Sequence, residues 1–307
     1  MDNAFDFYKL GSKFPLLDSI LIGCHADKVI IPHECCEYDV ISVYDDNMMI
    51  PQNPVTEKEP SLLQNKKRVY EVLILSAHEF INNPNINYTK FVQIPGQVLK
   101  SNIVNHFLDK CDKYNKSFNF ILKTNIIENI CEITNLLGLL GREFVDERYI
   151  SFHLKMLSLK TLKTIIHFYL NSEHRPSHLK YQINLVKQNE NLKTRENVDL
   201  LLEYMGTNRA NISSYTRSEK SLRFLIRNED FRKNRILFNK LEFFKKKSMY
   251  VDGILLINSF ILDKVHNEQF IKKYNKLLNH IIDIQTKEKI TMFKEVNLLL
   301  EINKNLI

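Results

Sequence analysis

Glycine and proline are scarce in this chain, and their positions constrain the fold more than any other feature. The 307 residues include 7 glycines and 8 prolines, and no proline follows Pro176. Strand-rich folds need such residues at short intervals, because each connection between strands requires a turn. The second half of the chain is therefore predicted to be mostly helical, and strands are expected in the first half.

Four segments near the start have the composition of β-strands, with apolar, β-branched and aromatic residues. They are 19–22, 38–44, 68–75 and 88–94. The Asp, Asn and Pro residues between positions 45 and 67 predict a loop there. A short amphipathic helix is expected at 3–10, before the first strand.

From about residue 98 onward, apolar residues recur at three- and four-residue spacing, which is the period of amphipathic helices. The predicted helices are 101–114, 118–140, 143–170, 176–187, 197–205, 219–226, 230–246, 253–265, 268–286 and 289–302. A polar stretch near 188–196 is a candidate boundary within this part. The chain is thus predicted to be an α+β protein, with a small mixed sheet in 1–97 and a helical domain in 98–307.

The composition is that of a globular protein, with 44% hydrophobic and 26% charged residues. No run approaches the roughly 18–20 apolar residues that a membrane span needs, and the acidic start is unlike a signal peptide. We therefore expect a cytoplasmic protein without a membrane partner. The odd number of cysteines, five, predicts reduced thiols. A net charge of +7 favours polyanionic partners such as nucleotides or RNA, without requiring one.

Three acidic residues on predicted strands are the strongest functional signal. Glu37 and Asp39 are one residue apart, so in extended chain their side chains leave the same face. Glu71 lies in the middle of an otherwise apolar strand, where burying an unpaired carboxylate is costly. If the two strands are neighbours, the three carboxylates converge beside the turn at Gly23. Like charges held that close require a cation, a proton or an arginine between them.

Converging carboxylates of this kind suit phosphoryl chemistry that depends on Mg²⁺. Glu37 and Asp39 would bridge two Mg²⁺ ions, one that carries a nucleoside triphosphate and one that lowers the pKa of the attacking hydroxyl. Glu71 would bind the second ion or take the proton from the nucleophile.

The turn at Gly23 is the expected phosphate-binding element. A tight turn leaves peptide N–H groups free to point at an anion, so Gly23 and Cys24 would hold the β- and γ-phosphates. His25 and Lys28 follow closely and are candidates for neutralising phosphate charge. The alternative for Gly23 is an ordinary turn that binds no ligand.

The order of these motifs resembles the DNA-polymerase-β-like nucleotidyltransferase superfamily. Its pattern appears here as Ile22-Gly23-Cys24, then Glu37-Tyr38-Asp39-Val40, then Tyr70-Glu71-Val72-Leu73. The resemblance covers about residues 15–80 and implies transfer of a nucleoside monophosphate from a triphosphate to an acceptor hydroxyl. It also implies a helical domain that lines the acceptor site. At Cys24 the family has a serine whose hydroxyl contacts phosphate, and a thiol is a poor substitute; an inactive member is the alternative.

Other interpretations of the acidic residues stay open. Glu37 and Asp39 are also typical of a solvated strand end that discourages aggregation. Glu71 is also compatible with an exposed edge strand, or with a salt bridge to Arg68 or Lys67.

Other classes of site have weaker signals. A further cluster is formed by His25, His33, Cys35 and Cys36, with Cys24 as an alternative member. It lacks the paired spacing of zinc ligands, so buried thiols under the sheet are the favoured interpretation. The chain has neither the phosphate loop of P-loop enzymes nor the glycine fingerprint of dinucleotide-binding proteins.

Two motifs of the helical half are candidates for binding. Arg175 and His178 flank Pro176 at a helix start and could contact a nucleotide or acceptor, although an inter-helix turn with exposed histidines is favoured. The stretch 217–247 interleaves basic residues with phenylalanines, so it could bind RNA, although a phenylalanine core stripe with a solvated lysine face is favoured. The alternative function is therefore a non-catalytic helical interaction protein or an RNA-binding protein.

Overall fold

The fold is that of a computed structural model, which places secondary structure in two compact units, Met1–Asn119 and Phe120–Ile307. It describes residues 16–27, 29–44, 61–65, 68–82, 92–93, 101–144, 146–172, 174–226, 231–264, 268–282 and 287–307. The division between the units falls inside a helix, whereas the sequence predicts one after residue 97. A small sheet together with many helices agrees with the predicted α+β class.

In the described part of the first unit, a mixed sheet forms the framework. Its strands are β1 (Leu16–Ile22), β2 (Tyr38–Tyr44), β3 (Ser61–Asn65), β4 (Arg68–Ser76) and β5 (Val92–Gln93). The strand order is β3-β4-β2-β1-β5, with β2 and β4 parallel and the other neighbours antiparallel. Val40, Ile41 and Val43 are almost completely buried, so both faces of the central strand β2 are covered.

The sheet differs from the sequence-based prediction at its two edges. β3 lies inside the region 45–67 that was predicted to be loop, and it pairs with β4 in an antiparallel ladder. Its strand conformation depends on that partner, which local composition does not reveal. β5 covers two residues of the strand predicted at 88–94. The helix predicted at 3–10 lies outside the described residues.

A short helix, α1 (Ala77–Asn82), follows β4 directly and was not predicted. Ser76 and Glu79 form a reciprocal cap at its start. The Glu79 N–H donates to Ser76 Oγ at 3.1 Å, and the Ser76 N–H donates to Glu79 Oε2 at 2.8 Å. The Ser-x-x-Glu spacing is the usual sequence signal for such a cap. Phe80 from this helix is fully buried.

The remaining helices form the second unit, although the first of them begins in the first unit. They are α2 (Ser101–Leu140), α3 (Glu147–Leu170), α4 (Leu179–Asn189), α5 (Leu192–Tyr204), α6 (Ile212–Leu225), α7 (Phe231–Lys246), α8 (Tyr250–Lys264), α9 (Glu268–Ile282) and α10 (Lys289–Lys304). α2 joins the two helices predicted at 101–114 and 118–140, because the residues between them include neither glycine nor proline. α3 is central and packs against α4, α5, α9 and α10.

Polar residues that look like linkers in the sequence act as helix caps in the second unit. The stretch near 188–196 contains the end of α4 and the first turn of α5, whose N-cap Asn191 accepts the Thr194 N–H at 2.9 Å. Asn211 and Ser214 form a capping box, so α6 begins well before the predicted residue 219. None of the helices in the described ranges is both long enough and apolar enough to cross a membrane.

Candidate metal site

Parallel pairing of β2 with β4 brings the three predicted carboxylates together. Asp39 and Glu71 are register partners, and Glu37 precedes Asp39 by two residues. Oxygens of Glu37, Asp39 and Glu71 lie within 4.8 Å of one another. All three side chains are half-buried, so the cluster is reachable from solvent. The convergence expected from the sequence is present, and metal binding by it stays a prediction.

Gly23 lies directly against one of these carboxylates. β1 ends at Ile22, which is the register partner of Asp39, and Gly23 then begins a 3₁₀ turn. Its φ of 73° lies in the left-handed region that other residues rarely adopt. A Cβ at this position would overlap Asp39 Oδ2. Both the backbone conformation and the close approach of Asp39 therefore require glycine here.

The thiol of Cys24 is engaged within the protein. Cys24 is 8% exposed and Cys36 6% exposed, and they share a buried cluster with Ile30. The hydrogen bond with Cys36, burial and the nearby negative charges of Asp39 and Glu37 raise the pKa of the Cys24 thiol. The thiol therefore stays protonated, and a phosphate contact at this position would have to come from the peptide N–H. The burial of Cys24 and Cys36 agrees with the interpretation of these cysteines as buried thiols.

The two cationic candidates near the turn have different outcomes. The His25 ring stacks on Tyr38, with ring centroids 3.9 Å apart and planes 11° from parallel. The imidazole is therefore held by the aromatic ring of Tyr38. Lys28 lies outside the described residues.

Sequence analysis missed one acidic residue of this turn region. Asp27 is buried, and its Oδ1 accepts the Val29 N–H at 2.9 Å. This is an Asx-turn, in which the carboxylate holds the chain that leaves the 3₁₀ turn. The sequence signal was an Asp placed four residues after the glycine. Its role is to shape the loop next to Gly23.

The binding candidates of the helical half belong to the second unit. Arg175 precedes a 3₁₀ turn at Pro176–His178. The backbone N–H of Arg175 donates to Gln182 Oε1 at 2.8 Å. His178 is 1% exposed, so the favoured expectation of exposed histidines was wrong. The turn packs against α4 and α8.

His167 and His174, which lie close to this turn, are half-buried and contact each other. The backbone N–H of His174 donates to His167 Nε2 at 3.1 Å. The ring nitrogen Nδ1 of His174 lies 3.4 Å from the same His167 nitrogen. Burial and the Lys163 charge lower the pKa of His167 to about 4 and that of His174 to about 3, with His167 and Arg175 contributing to the latter. Both rings are therefore neutral at physiological pH.

A cavity of about 300 Å³ between α2 and α3 was also missed by sequence analysis. It is lined by Leu136, Leu139 and Met156 together with Tyr149 and His153, among others. Two of its charged groups pair with each other, because Lys160 Nζ lies 2.6 Å from Glu132 Oε1. The cavity therefore presents no net charge that would select an ionic ligand.

No protein-family model and no curated protein matches this sequence. The resemblance to nucleotidyltransferases consequently depends on the order of the motifs around Gly23, Asp39 and Glu71. The resemblance stays a prediction, and experiments on nucleotide binding and catalysis at this site would test it.

Proposed function

We propose that the first unit is a Mg²⁺-dependent nucleotidyltransferase core that transfers a nucleoside monophosphate from a triphosphate to the hydroxyl of an acceptor. The observation that carries the proposal is the convergence of Glu37, Asp39 and Glu71 across two parallel strands. The glycine turn packed against Asp39 is a second, independent support.

The geometry of the carboxylates fits Mg²⁺. This ion takes oxygen ligands at about 2.0–2.1 Å in octahedral arrangement, so two ligands of one ion lie about 3–4 Å apart. Carboxylate oxygens within 4.8 Å of one another reach such spacing by small side-chain rotations. The same set can also serve two ions about 3.5–4 Å apart.

Each residue of the cluster has a distinct role in the proposal. Glu37 and Asp39 hold the cations, and Gly23 fixes the position of the Asp39 carboxylate. Glu71 completes the ligand set or accepts the proton of the acceptor hydroxyl. When bound, Mg²⁺ would offset the charge of the triphosphate and favour deprotonation of that hydroxyl.

The proposal is tested by binding of nucleotides to the full chain. A ligand that binds only the native state at 100 times its Kd stabilises that state by about 2.7 kcal/mol. We expect at least one of the four nucleoside triphosphates to raise the Tm by several degrees when Mg²⁺ is present. Asp39→Asn and Glu71→Gln should abolish this increase, because each replaces a carboxylate that would bind Mg²⁺ with a neutral amide.

Glu34→Gln is the matched control, since it removes one carboxylate from an exposed position three residues before Glu37. It should keep the increase in Tm. Release of pyrophosphate from the stabilising triphosphate would then report on catalysis. The proposal is wrong if the wild-type Tm does not respond to any of the four triphosphates with Mg²⁺.

A further inference from the structure

Positive charge is concentrated in one short part of the helical unit. The segment 212–247 contains eleven Lys and Arg residues and four Asp and Glu residues, which is a net charge of +7. The whole chain also has a net charge of +7, so the other 271 residues are electrically neutral in sum. The segment comprises α6, α7, the residues that connect them, and Lys247, which follows α7.

Two contacts show how α6 and α7 lie side by side. The Arg223 guanidinium lies 3.8 Å from the centre of the Phe238 ring, and Lys245 Nζ lies 3.6 Å from Glu219 Oε2. Moving back along α6 from Arg223 to Glu219 thus corresponds to moving forward along α7 from Phe238 to Lys245, so the two helices are antiparallel. The bases next to Glu219 consequently lie at the same end of the pair as those next to Lys245.

In the described part of this surface, the buried carboxylate of Glu219 contacts bases of both helices. The Glu219 side chain is 11% exposed and accepts two hydrogen bonds from Arg223, at 2.7 and 3.0 Å. Arg223 is therefore held between Glu219 and the Phe238 ring, and 48% of its side chain remains exposed. A guanidinium fixed in this way can contact a phosphate without a large loss of conformational entropy.

The bases around this centre are exposed. Arg217, Lys220 and Lys247 are exposed, and the Lys246 side chain is 72% exposed. Lys246 Nζ lies 2.7 Å from Glu242 Oε1. An ion pair this exposed contributes little to stability, so another anion can readily replace Glu242 as the partner of Lys246. Phe224 is 59% exposed and follows Lys220 by one helical turn, so an aromatic ring lies on the basic face.

We infer that the surface of α6 and α7 that carries Arg217, Lys220, Phe224 and Lys246 binds single-stranded nucleic acid. The basic side chains would contact phosphates, and Phe224 would stack on a nucleobase. Proteins commonly hold single-stranded nucleic acid with exposed Lys and Arg side chains, which contact the phosphates, and with exposed aromatic rings, on which the unpaired nucleobases stack. An acidic protein segment would use the charges but not the ring. A membrane surface would need a continuous apolar face, whereas Phe224 is flanked by bases.

The inference is tested by fluorescence anisotropy, with the full chain and a labelled polyuridylate of about 20 nucleotides. Combined reversal of Arg217, Lys220 and Lys246 to Glu should weaken binding more than tenfold. It should also reduce the slope of log Kd against log salt by about 2, since each single-strand phosphate contact contributes about 0.7. Phe224→Ala should weaken binding about tenfold with an unchanged slope, because it removes stacking and no charge.

Matched controls come from other helices of the same unit. Combined reversal of Lys193, Lys294 and Lys304, which are all exposed, changes the net charge equally and should weaken binding much less. Phe293→Ala removes a ring that is 50% exposed on α10 and should leave the affinity unchanged. Unaltered far-UV circular dichroism and Tm would show that the variants are folded.

Competition experiments distinguish the kinds of partner. Unlabelled single-stranded RNA and DNA should both compete, and a difference between them would show whether the 2′-hydroxyl is recognised. Duplex RNA, polyglutamate and vesicles with anionic lipid should compete less well. The inference is overturned if any of these three competes as well as the single strands, or if the control reversals weaken binding as much as the reversals on α6 and α7. Asp39→Asn should keep the RNA affinity, so this result is independent of the proposed metal site.

Discussion

At the scale of single residues, Gly23 and Asp39 are adapted to each other. The chain turns at Gly23 with a positive φ, and the Asp39 carboxylate occupies the space where a side chain would begin. The register of β1 and β2 brings them together, because Ile22 pairs with Asp39. A change at either residue therefore affects the position of the carboxylate.

We predict that Gly23→Ala destabilises the protein by about 2–4 kcal/mol, through backbone strain and overlap with Asp39. It should also abolish binding of Mn²⁺, used as a probe for Mg²⁺, because the carboxylate must move. Urea unfolding and Mn²⁺ titration by electron paramagnetic resonance measure the two effects. Gly138→Ala is the control, since Gly138 is exposed on α2 with open space around it and alanine should stabilise that helix by about 0.5–1 kcal/mol.

His167 and His174 predict a pH dependence of stability. Both pKa values are lowered in the folded state, to about 4 and about 3, from the usual value of 6.5. Between these values the unfolded chain binds protons that the native chain does not. The free energy of unfolding therefore falls as the pH decreases from about 6.5 toward 4, by up to about 1.4 kcal/mol per pH unit for each histidine.

Urea unfolding at several pH values between 7 and 5 measures this dependence. The double variant His167→Gln/His174→Gln should lose stability less steeply than the wild type as the pH falls. Asn297→Gln, which removes no titratable group, should retain the wild-type slope. Equal slopes for the double variant and the wild type would contradict the assignment.

At the scale of elements, a buried polar network joins α2, α3 and α10. Asn129 Nδ2 donates to Thr164 Oγ1 at 3.1 Å and to Asn303 Oδ1 at 3.2 Å. Asn303 Nδ2 donates to Thr161 Oγ1 at 2.8 Å and to Leu299 O at 2.9 Å. Such a network fixes the mutual register of helices, because a shift would leave buried polar groups without partners.

We predict that Asn303→Leu lowers the free energy of unfolding by about 2–4 kcal/mol, since it removes a partner of Asn129 and of Thr161. The double variant Asn129→Leu/Asn303→Leu should cost less than the sum of the single variants, as expected for coupled sites. Asn297→Leu, on the more exposed side of α10, should change stability by about 0.5 kcal/mol or less. Additive effects in the double-mutant cycle would show that the two asparagines are not coupled.

The elements differ in how well local sequence predicted them. β2 and most of β4 follow from their β-branched and aromatic residues, and the predicted bounds of β2 match its observed bounds. β3 was missed because its strand state depends on pairing with β4. The polar residues before α6 were not recognised as a cap, although Asn211 is among the residues preferred at a helix N-cap.

At the scale of the whole molecule, the two units have separate chemistry. The carboxylates lie in the first unit and the basic face of α6 and α7 in the second. The second unit has a core of its own, in which Ile150, Phe152 and Leu162 of α3 are fully buried.

We therefore predict that a fragment of residues 101–307, which retains the whole of α2, folds without the sheet. It should unfold cooperatively in urea and keep the helical circular dichroism of its residues. It should also bind polyuridylate as the full chain does, and should not bind Mn²⁺ with nucleotide. A non-cooperative transition of the fragment would show that the second unit depends on the first.

The sequence by itself determined the fold class, most of the helices and the acidic residues worth testing. These follow from periodicity, composition and spacing, which act over a few neighbouring residues. Only the tertiary structure decided that β2 and β4 are parallel neighbours, that Gly23 lies against Asp39, and that the Cys24 thiol is hydrogen-bonded to Cys36. These contacts join residues that are distant in the chain, and they depend on which strands pair and which side chains share the limited space of the core.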